Sequence, residues 1–145
     1  MAALSKSVVG SPSPAQQRLY EAAEVARASA YAPYSRFHVG AALQTEDGGV
    51  VVAANVENAS YGLSMCAERA AVFHAVADGH RSFVAVAVAG HGASVTPCGA
   101  CRQVLAEFCK PGTEVIFHLD GELVAMPLQE LLPHAFGPQH LAPGS

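Results

Sequence analysis

Apolar residues recur along the chain at two spacings, and the switches between them predict nine elements. Residues 14–30 carry apolar side chains every three or four positions, which is the period of a helix with one buried face. Later runs rich in valine and alanine are typical of strands, and turns 46–49 and 120–121 have hairpin composition. The elements expected after this first helix are strands 37–45 and 50–55, helix 67–77, strand 83–89, a helix starting near residue 98 and ending at 111–112, strands 114–119 and 123–126, and a short helix at 128–132.

This order predicts an α/β fold, a three-layer α/β/α sandwich around a five-stranded mixed sheet. Strands 83–89 and 114–119 are separated by a helix, so we expect them to be parallel. The hairpins make the first two strands antiparallel and leave the final strand antiparallel to its predecessor. We assign residues 1–13 to a polar N-terminal tail, 14–138 to a single domain and 139–145 to a C-terminal tail.

The composition is consistent with one folded domain and reduces the range of expected binding partners. Of the 145 residues, 51% are hydrophobic and 14% are charged, which is typical of globular rather than disordered chains. The formal net charge is −4 and the basic residues are scattered, so we expect no nucleic-acid partner. No secretory leader and no apolar run of roughly 18 residues is found, so we expect no membrane span and a cytoplasmic location.

Three of the four cysteines are spaced like metal ligands. Cys98 and Cys101 lie three residues apart where a helix begins, so both sulfurs can reach one ion. Cys66 precedes the other central helix, and helix N-termini favour the thiolate form that binds metal. Cys109 lies about two turns beyond Cys101 and is expected in the core, which leaves an open position for water, as in catalytic zinc sites. A redox C-x-x-C pair or four buried core cysteines are the alternatives.

Glu68 is the candidate proton carrier beside this cluster. If Cys66 starts its helix, Glu68 lies in the first turn and can lean toward the same ion. The alternative is a glutamate that only complements the helix dipole. Three thiolates would leave a zinc centre with net negative charge, so a nearby cation is expected. Arg69 is the first candidate and Arg102 the second.

Several motifs, in order, resemble the small zinc cytidine deaminases of the cytidine and deoxycytidylate deaminase superfamily. The matching segments are PYS at 33–35, FHVG at 37–40, NVEN at 55–58, CAER at 66–69, PCGACRQ at 97–103 and LLPHAFG at 131–137. The three cysteines and the glutamate resemble the signature in which a non-ligand glutamate acts as general acid and base. The resemblance implies hydrolysis of cytidine and 2′-deoxycytidine to uridine and 2′-deoxyuridine plus ammonia, in pyrimidine salvage, with one Zn²⁺ per subunit.

The resemblance also implies a role for individual residues. The implied zinc ligands are Cys66, Cys98 and Cys101, with Arg69 hydrogen-bonded to ligand sulfur. Glu68 would carry a proton from water to N3 of cytosine and then to the leaving amine, a role worth about 10²–10⁴-fold in rate. The implied substrate contacts are Phe37 on the pyrimidine ring, the Ala67 N–H on the base, and Asn55 and Glu57 on the ribose near its 3′-hydroxyl.

Some of these assignments have structural alternatives, and others involve neighbouring subunits. Asn55 and Glu57 lie two residues apart at a strand end, which places them on one face, although asparagine is also an ordinary turn residue. Phe37 could equally be a core residue. The family resemblance further implies a homotetramer whose sites are completed by neighbouring subunits. The residues expected at or across that interface are Ala59, Tyr61 and Phe136.

Three other functions agree less well with the sequence. A deaminase for a modified cytosine nucleoside such as blasticidin S shares the zinc motif, but segment 55–58 favours ordinary cytidine. An enzyme acting on polynucleotides is disfavoured by the negative charge and the antiparallel final strand. A zinc- or redox-regulated binding protein is disfavoured because the chain has both a metal cluster and a proton carrier.

Overall fold

Helices cover both faces of a five-stranded sheet in residues 9–141, the part of the chain that this computed structural model describes. The elements are α1 (Pro14–Ala26), β1 (Gly40–Thr45), β2 (Val50–Ala54), α2 (Ala67–Ala77), β3 (Phe83–Ala89), α3 (Gly99–Phe108), β4 (Cys109–Leu119), β5 (Glu122–Pro127) and α4 (Leu128–Leu131). Three short 3₁₀ helices lie between or after them, at Arg27–Ser29, Tyr61–Leu63 and Pro138–His140. The predicted order of elements and the α/β class are confirmed.

The sheet order brings the starts of α2 and α3 to one edge. The strands are arranged β2-β1-β3-β4-β5, with β3 and β4 parallel and every other neighbouring pair antiparallel. The predicted mixed sheet and antiparallel final strand are therefore confirmed. Because α2 leads into β3 and α3 leaves it, the N-termini of both helices lie near the carboxyl end of β3. Open α/β sheets commonly bind ligands at this edge.

Alternation along the strands divides the core into two layers. Ala42 and Ala87 belong to the cluster that packs under α1. Leu43 and Val86, one position away in each strand, belong to the cluster packed against α2 and α3. The small alanine side chains on the first face let α1 approach the sheet closely, whereas the larger residues on the second face fill the space below two helices.

The first helix is shorter than predicted. Ser13 caps it and exchanges hydrogen bonds with Gln16 in a capping box, so its start agrees with the sequence. The α-helix ends at Ala26, and Arg27–Ser29 continue as a 3₁₀ turn before the chain becomes extended at Ala30. This tighter turn redirects the chain toward the lead-in to β1.

Two strand boundaries also differ from the sequence expectation. β1 begins at Gly40, so Phe37 lies in an extended lead-in rather than in the strand. β4 begins at Cys109, and Phe83 pairs with Cys109 while Ala85 pairs with Glu114, so residues 110–113 bulge out of the ladder. The assignment of Cys109 to the third helix was therefore wrong. A proline and a positive-φ glycine within the bulge explain why the sequence indicated a break there.

Part of the expected N-terminal tail extends the sheet. Gly10 exchanges two backbone hydrogen bonds with Ala125 of β5, at 3.0 and 2.8 Å. Residues 1–8 and 142–145, which include most of both expected tails, lie outside the described residues. Within residues 9–141, no helix has the length and apolar character needed to cross a membrane.

Candidate active site

Three cysteine sulfurs meet where α2 and α3 begin. Cys66 is the N-cap of α2, Cys98 is the N-cap of α3, and Cys101 lies in the first turn of α3. The three Sγ atoms lie within 4.8 Å of one another, with Cys98–Cys101 at 3.2 Å and Cys66–Cys98 at 3.9 Å. Two sulfurs on one tetrahedral zinc ion are about 3.8 Å apart, because each Zn–S bond is about 2.3 Å. The donor type and spacing therefore fit zinc.

Hydrogen bonding within the cluster places the first thiolate on Cys66. The pKa of Cys66 is lowered to about 5, chiefly because Cys101 hydrogen-bonds to its sulfur and also because Arg69 donates to it. The Nη2–Sγ distance from Arg69 is 3.5 Å. The same sulfur–sulfur hydrogen bond, together with burial, raises the pKa of Cys101. Metal binding must displace the proton that Cys101 retains, so affinity should fall in acid.

Two further candidates from the sequence lie away from the sulfurs. Arg102 donates from Nε to the carbonyl of Pro97 at 2.8 Å and from Nη1 to the carbonyl of Leu131 at 2.7 Å. It therefore ties the start of α3 to the end of α4, and Arg69 is the arginine beside the cluster. Cys109 is half-buried at the start of β4, where burial raises its pKa to about 12.

A cleft of about 180 Å³ opens beside the sulfurs. Its lining residues are Phe37, Val39, Asn55, Cys66, Ala67, Glu68, Val88, Val95, Thr96 and Cys98. Glu68 is only 4% exposed, and burial is the main cause that raises its pKa, with the charge of Cys66 adding to the effect. This carboxyl group takes up a proton more readily than an exposed glutamate does.

Asn55 holds the chain on the far side of this cleft. Its Nδ2 donates to the carbonyl of Phe37 at 2.8 Å, and its Oδ1 accepts the N–H of Val39 at 2.9 Å. One N–H and one acceptor position of the amide are left for a ligand. Ala67 lines the same cleft at the first position of α2, where backbone N–H groups have no partner within the helix.

Residues 13–118 match the family described as the cytidine and deoxycytidylate deaminase zinc-binding region. The chain belongs to this family. A cytidine deaminase from Halalkalibacterium halodurans is 53% identical, across 83% of this chain and 93% of the relative. One from Sporosarcina psychrophila is 47% identical, across 87% and 94%. The crystal structure of a cytidine deaminase from Burkholderia pseudomallei superposes with a TM-score of 0.78 at 52% identity, over 83% of this chain and 98% of that one.

These comparisons confirm the predicted family, fold and enzyme class. They also confirm the cofactor: the family model describes a zinc-binding region, and in this deaminase three sulfurs stand at zinc-compatible spacing.

Glu57 of the deaminase lies in a neighbouring cleft rather than beside the sulfurs. Its Oε1 accepts the backbone N–H groups of Tyr34 at 3.0 Å and Ser35 at 3.1 Å. A hydrogen bond with the Ser35 side chain is the main cause that holds the pKa of Glu57 below its ordinary value, and the two backbone N–H groups lower it further. β2 ends at Ala54, so the alternation of side chains along the strand does not extend to Glu57. Asn55 and Glu57 therefore line two adjoining clefts instead of one.

The three residues expected at subunit contacts are exposed. Tyr61 is 74% exposed and its ring lies 5.9 Å from that of Tyr34. Phe136 is 57% exposed, and its carbonyl accepts a hydrogen bond from Gln103 Nε2 at 3.0 Å. Ala59 lies in the exposed loop between β2 and α2. In residues 9–141 of a single chain, none of the three lines the cleft beside the sulfurs.

Sequence reasoning missed part of the cleft wall. The lining residues it did not single out are Val39, Val88, Val95 and Thr96. They lie just before β1, near the carboxyl end of β3, and in the loop that leads to Cys98. The position of Val88 near the carboxyl end of a parallel strand could have identified it, since ligands commonly bind beside the carboxyl ends of such strands.

Proposed function

We propose that this deaminase hydrolyses cytidine and 2′-deoxycytidine to uridine and 2′-deoxyuridine, with release of ammonia, as a step of pyrimidine salvage. The observation that supports the proposal is one cleft that joins a buried glutamate to a three-sulfur cluster. Curated relatives at 47–53% identity are named cytidine deaminases. Removal of a ring amine by water needs an activated nucleophile and a proton for a poor leaving group, and this cleft offers residues for both needs.

The cluster residues would hold the ion. These residues are Cys66, Cys98 and Cys101. When bound, zinc supplies a Lewis acid that makes water nucleophilic near neutral pH. Arg69 would offset part of the negative charge of three thiolates through its hydrogen bond to Cys66, and the N-termini of α2 and α3 would offset more.

Glu68 would carry the protons of the reaction. It takes a proton from water and delivers it to N3 of the cytosine ring, which makes C4 electrophilic. The water oxygen then adds at C4. Glu68 next takes the second proton of that oxygen and gives it to the amino group, which leaves as ammonia. Because Glu68 is buried and lines the same cleft as Cys66 and Cys98, these transfers are shielded from exchange with bulk water.

The rest of the cleft would orient the nucleoside. Phe37 and Ala67 both line the cleft, where Phe37 would pack on the pyrimidine ring and the Ala67 N–H would contact the base. Asn55 retains one donor and one acceptor, and Glu57 would contribute its carboxylate from the adjoining cleft. These groups suit the hydroxyls of a ribose near its 3′ position.

We extend the proposal to a homotetramer in which neighbouring subunits complete each site. Two large aromatic side chains, Tyr61 and Phe136, are exposed although each has one ring neighbour in its own chain, Tyr34 and His140 respectively. Together with Ala59, they would cover a neighbour's cleft. Light scattering with activity measured over a dilution series tests this, and full activity of a monomer would contradict it. Three metal-binding thiols also favour a reducing compartment such as the cytoplasm.

The function is tested by following cytidine absorbance with purified, zinc-loaded protein. Conversion to uridine supports the proposal. Glu68→Gln should keep zinc and fold but lose about 10²–10⁴-fold in kcat. Glu107→Gln, an exposed glutamate on α3, is the matched control and should retain activity. If zinc is bound and cytidine is unchanged, the proposed substrate is wrong and modified cytosine nucleosides become the next candidates.

A further inference from the structure

The segment that carries Phe37 is anchored mainly by side chains, together with one backbone hydrogen bond from the Asn55 N–H to the Val39 carbonyl at 3.2 Å. Residues 37–39 precede β1, and Asn55 holds the carbonyl of Phe37 and the N–H of Val39 from the β2 side. The carbonyl between them, that of His38, accepts a hydrogen bond from Arg27 Nε at 3.0 Å. Arg27 therefore supplies the anchor from the α1 side, at the middle residue of the segment.

The guanidinium of Arg27 is itself held in place. Its Nη1 donates to Glu24 Oε2 at 3.1 Å, and the other oxygen of Glu24 accepts from the Tyr20 hydroxyl at 2.9 Å. His118 Nδ1 lies 2.9 Å from the same hydroxyl. Burial and the Glu24 carboxylate raise the pKa of Tyr20, so its hydroxyl keeps the proton that it donates. An N–H at His118 Nδ1 can then donate to the tyrosine oxygen.

This chain of contacts runs from His118 of β4 through Tyr20, Glu24 and Arg27 to the backbone of His38. None of these four side chains lines the substrate cleft. The Arg27 side chain is 16% exposed and Tyr20 is buried, whereas the Glu24 side chain is 40% exposed. The backbone around Arg27 is fixed too, because α1 and β1 are in direct contact at Gly40. Mobility of the guanidinium is thus low, which is what a positional anchor requires.

We infer that Arg27 is a positioning residue for the substrate, which sets the placement of Phe37 in the cleft through its hydrogen bond to the His38 carbonyl. The inference rests on the proposed function, since Phe37 is taken to pack on the pyrimidine ring. Arg27 does not line the cleft and is not a catalytic residue. Its loss should weaken ground-state binding and leave the proton chemistry at Glu68 largely intact.

The first test compares Arg27→Met with Arg18→Met, the same change at an exposed arginine of α1. Arg27→Met keeps most of the apolar stem and removes the donors. We expect KM for cytidine to rise about five- to tenfold, with kcat within about twofold and zinc content unchanged, as for loss of one charged hydrogen bond. Arg18→Met should match the wild type. A fall of about five- to tenfold in kcat with an unchanged KM would overturn the inference.

A double-mutant cycle separates positioning from general stability. If Arg27 acts through Phe37, then Arg27→Met should cost less than about twofold in kcat/KM when added to Phe37→Ala. If the loss of kcat/KM in the double variant equals the product of the losses in the two single variants, Arg27 does not act through Phe37. Glu24→Gln offers a second route if Arg27→Met folds poorly. It removes the charge that holds the guanidinium, and it should give a smaller rise in KM of the same kind.

Hydrogen exchange supplies a readout that does not depend on turnover. Arg27→Met should speed amide exchange in peptides covering residues 34–39, whereas exchange in β3 should stay unchanged. Unaltered exchange at 34–39 would contradict the inference. Absence of cytidine turnover in the wild type would instead count against the proposed function, so the two failures are distinguishable.

Discussion

The close contact between α1 and β1 at Gly40 predicts a large effect for Gly40→Ala. A Cβ at Gly40 would overlap the carbonyl oxygen of Ala23 and would lie 2.9 Å from the backbone N of Arg27 and 3.1 Å from the Ala23 carbonyl carbon. All three atoms are backbone atoms, so no side-chain rotation can relieve the clash. The helix must move away from β1, and its buried face must repack.

The size of this effect follows from the packing. Overpacking a core costs typically about 1–3 kcal/mol, and a clash with backbone belongs at the upper end, about 3 kcal/mol. An unfolding entropy of about 2.1 cal/mol/K per residue implies a fall in Tm of about 10 °C for a chain of this length. The same displacement should raise KM, because Arg27 lies at the contact and Val39 in the cleft adjoins Gly40.

Thermal unfolding at fixed protein and zinc concentration provides the assay, since ligand and subunit association both shift Tm. Gly62→Ala is the matched control: a Cβ there meets nothing within 4 Å, and its Tm should stay within about 2 °C of wild type. A Gly40→Ala protein that melts within the same margin would refute the argument, because it would show that α1 can shift at no cost.

Three further predictions concern the site and its surroundings. Cys98→Ala should abolish stoichiometric zinc binding, as metal analysis would show, whereas Cys109→Ala should leave it unchanged. At pH 8 the folded protein should alkylate at Cys109 about 10³-fold more slowly than the unfolded chain, because a pKa of about 12 leaves few thiolates, and mass spectrometry should find the rate rising with pH. Asn55→Asp should raise KM more than Asn55→Ala, since a carboxylate would face the carbonyl of Phe37 without a donor; the reverse order in steady-state kinetics would contradict this.

The sequence by itself determined the features that depend on local spacing. Helical and strand periods predicted the order of elements, and the hairpin turns predicted the antiparallel final strand. Cys66, Cys98 and Cys101 were recognisable because each stands at a helix start, and a thiolate there is stabilised whatever the rest of the fold does. Glu68 followed from its position in the same first turn. Helix starts carry strong local signals, so this part of the site was predictable.

Only the tertiary structure decided which distant segments meet. Hydrophobic periodicity placed Phe37 inside a strand, but the β1 ladder begins later, at Gly40, so the aromatic residue is free to face the cleft. No local pattern could show that Arg27 reaches the carbonyl of His38, or that Val88 and Thr96 form the cleft wall. These contacts join residues from separate elements, and their geometry is set by how closely α1 and the loops pack on the sheet, which depends on the whole core.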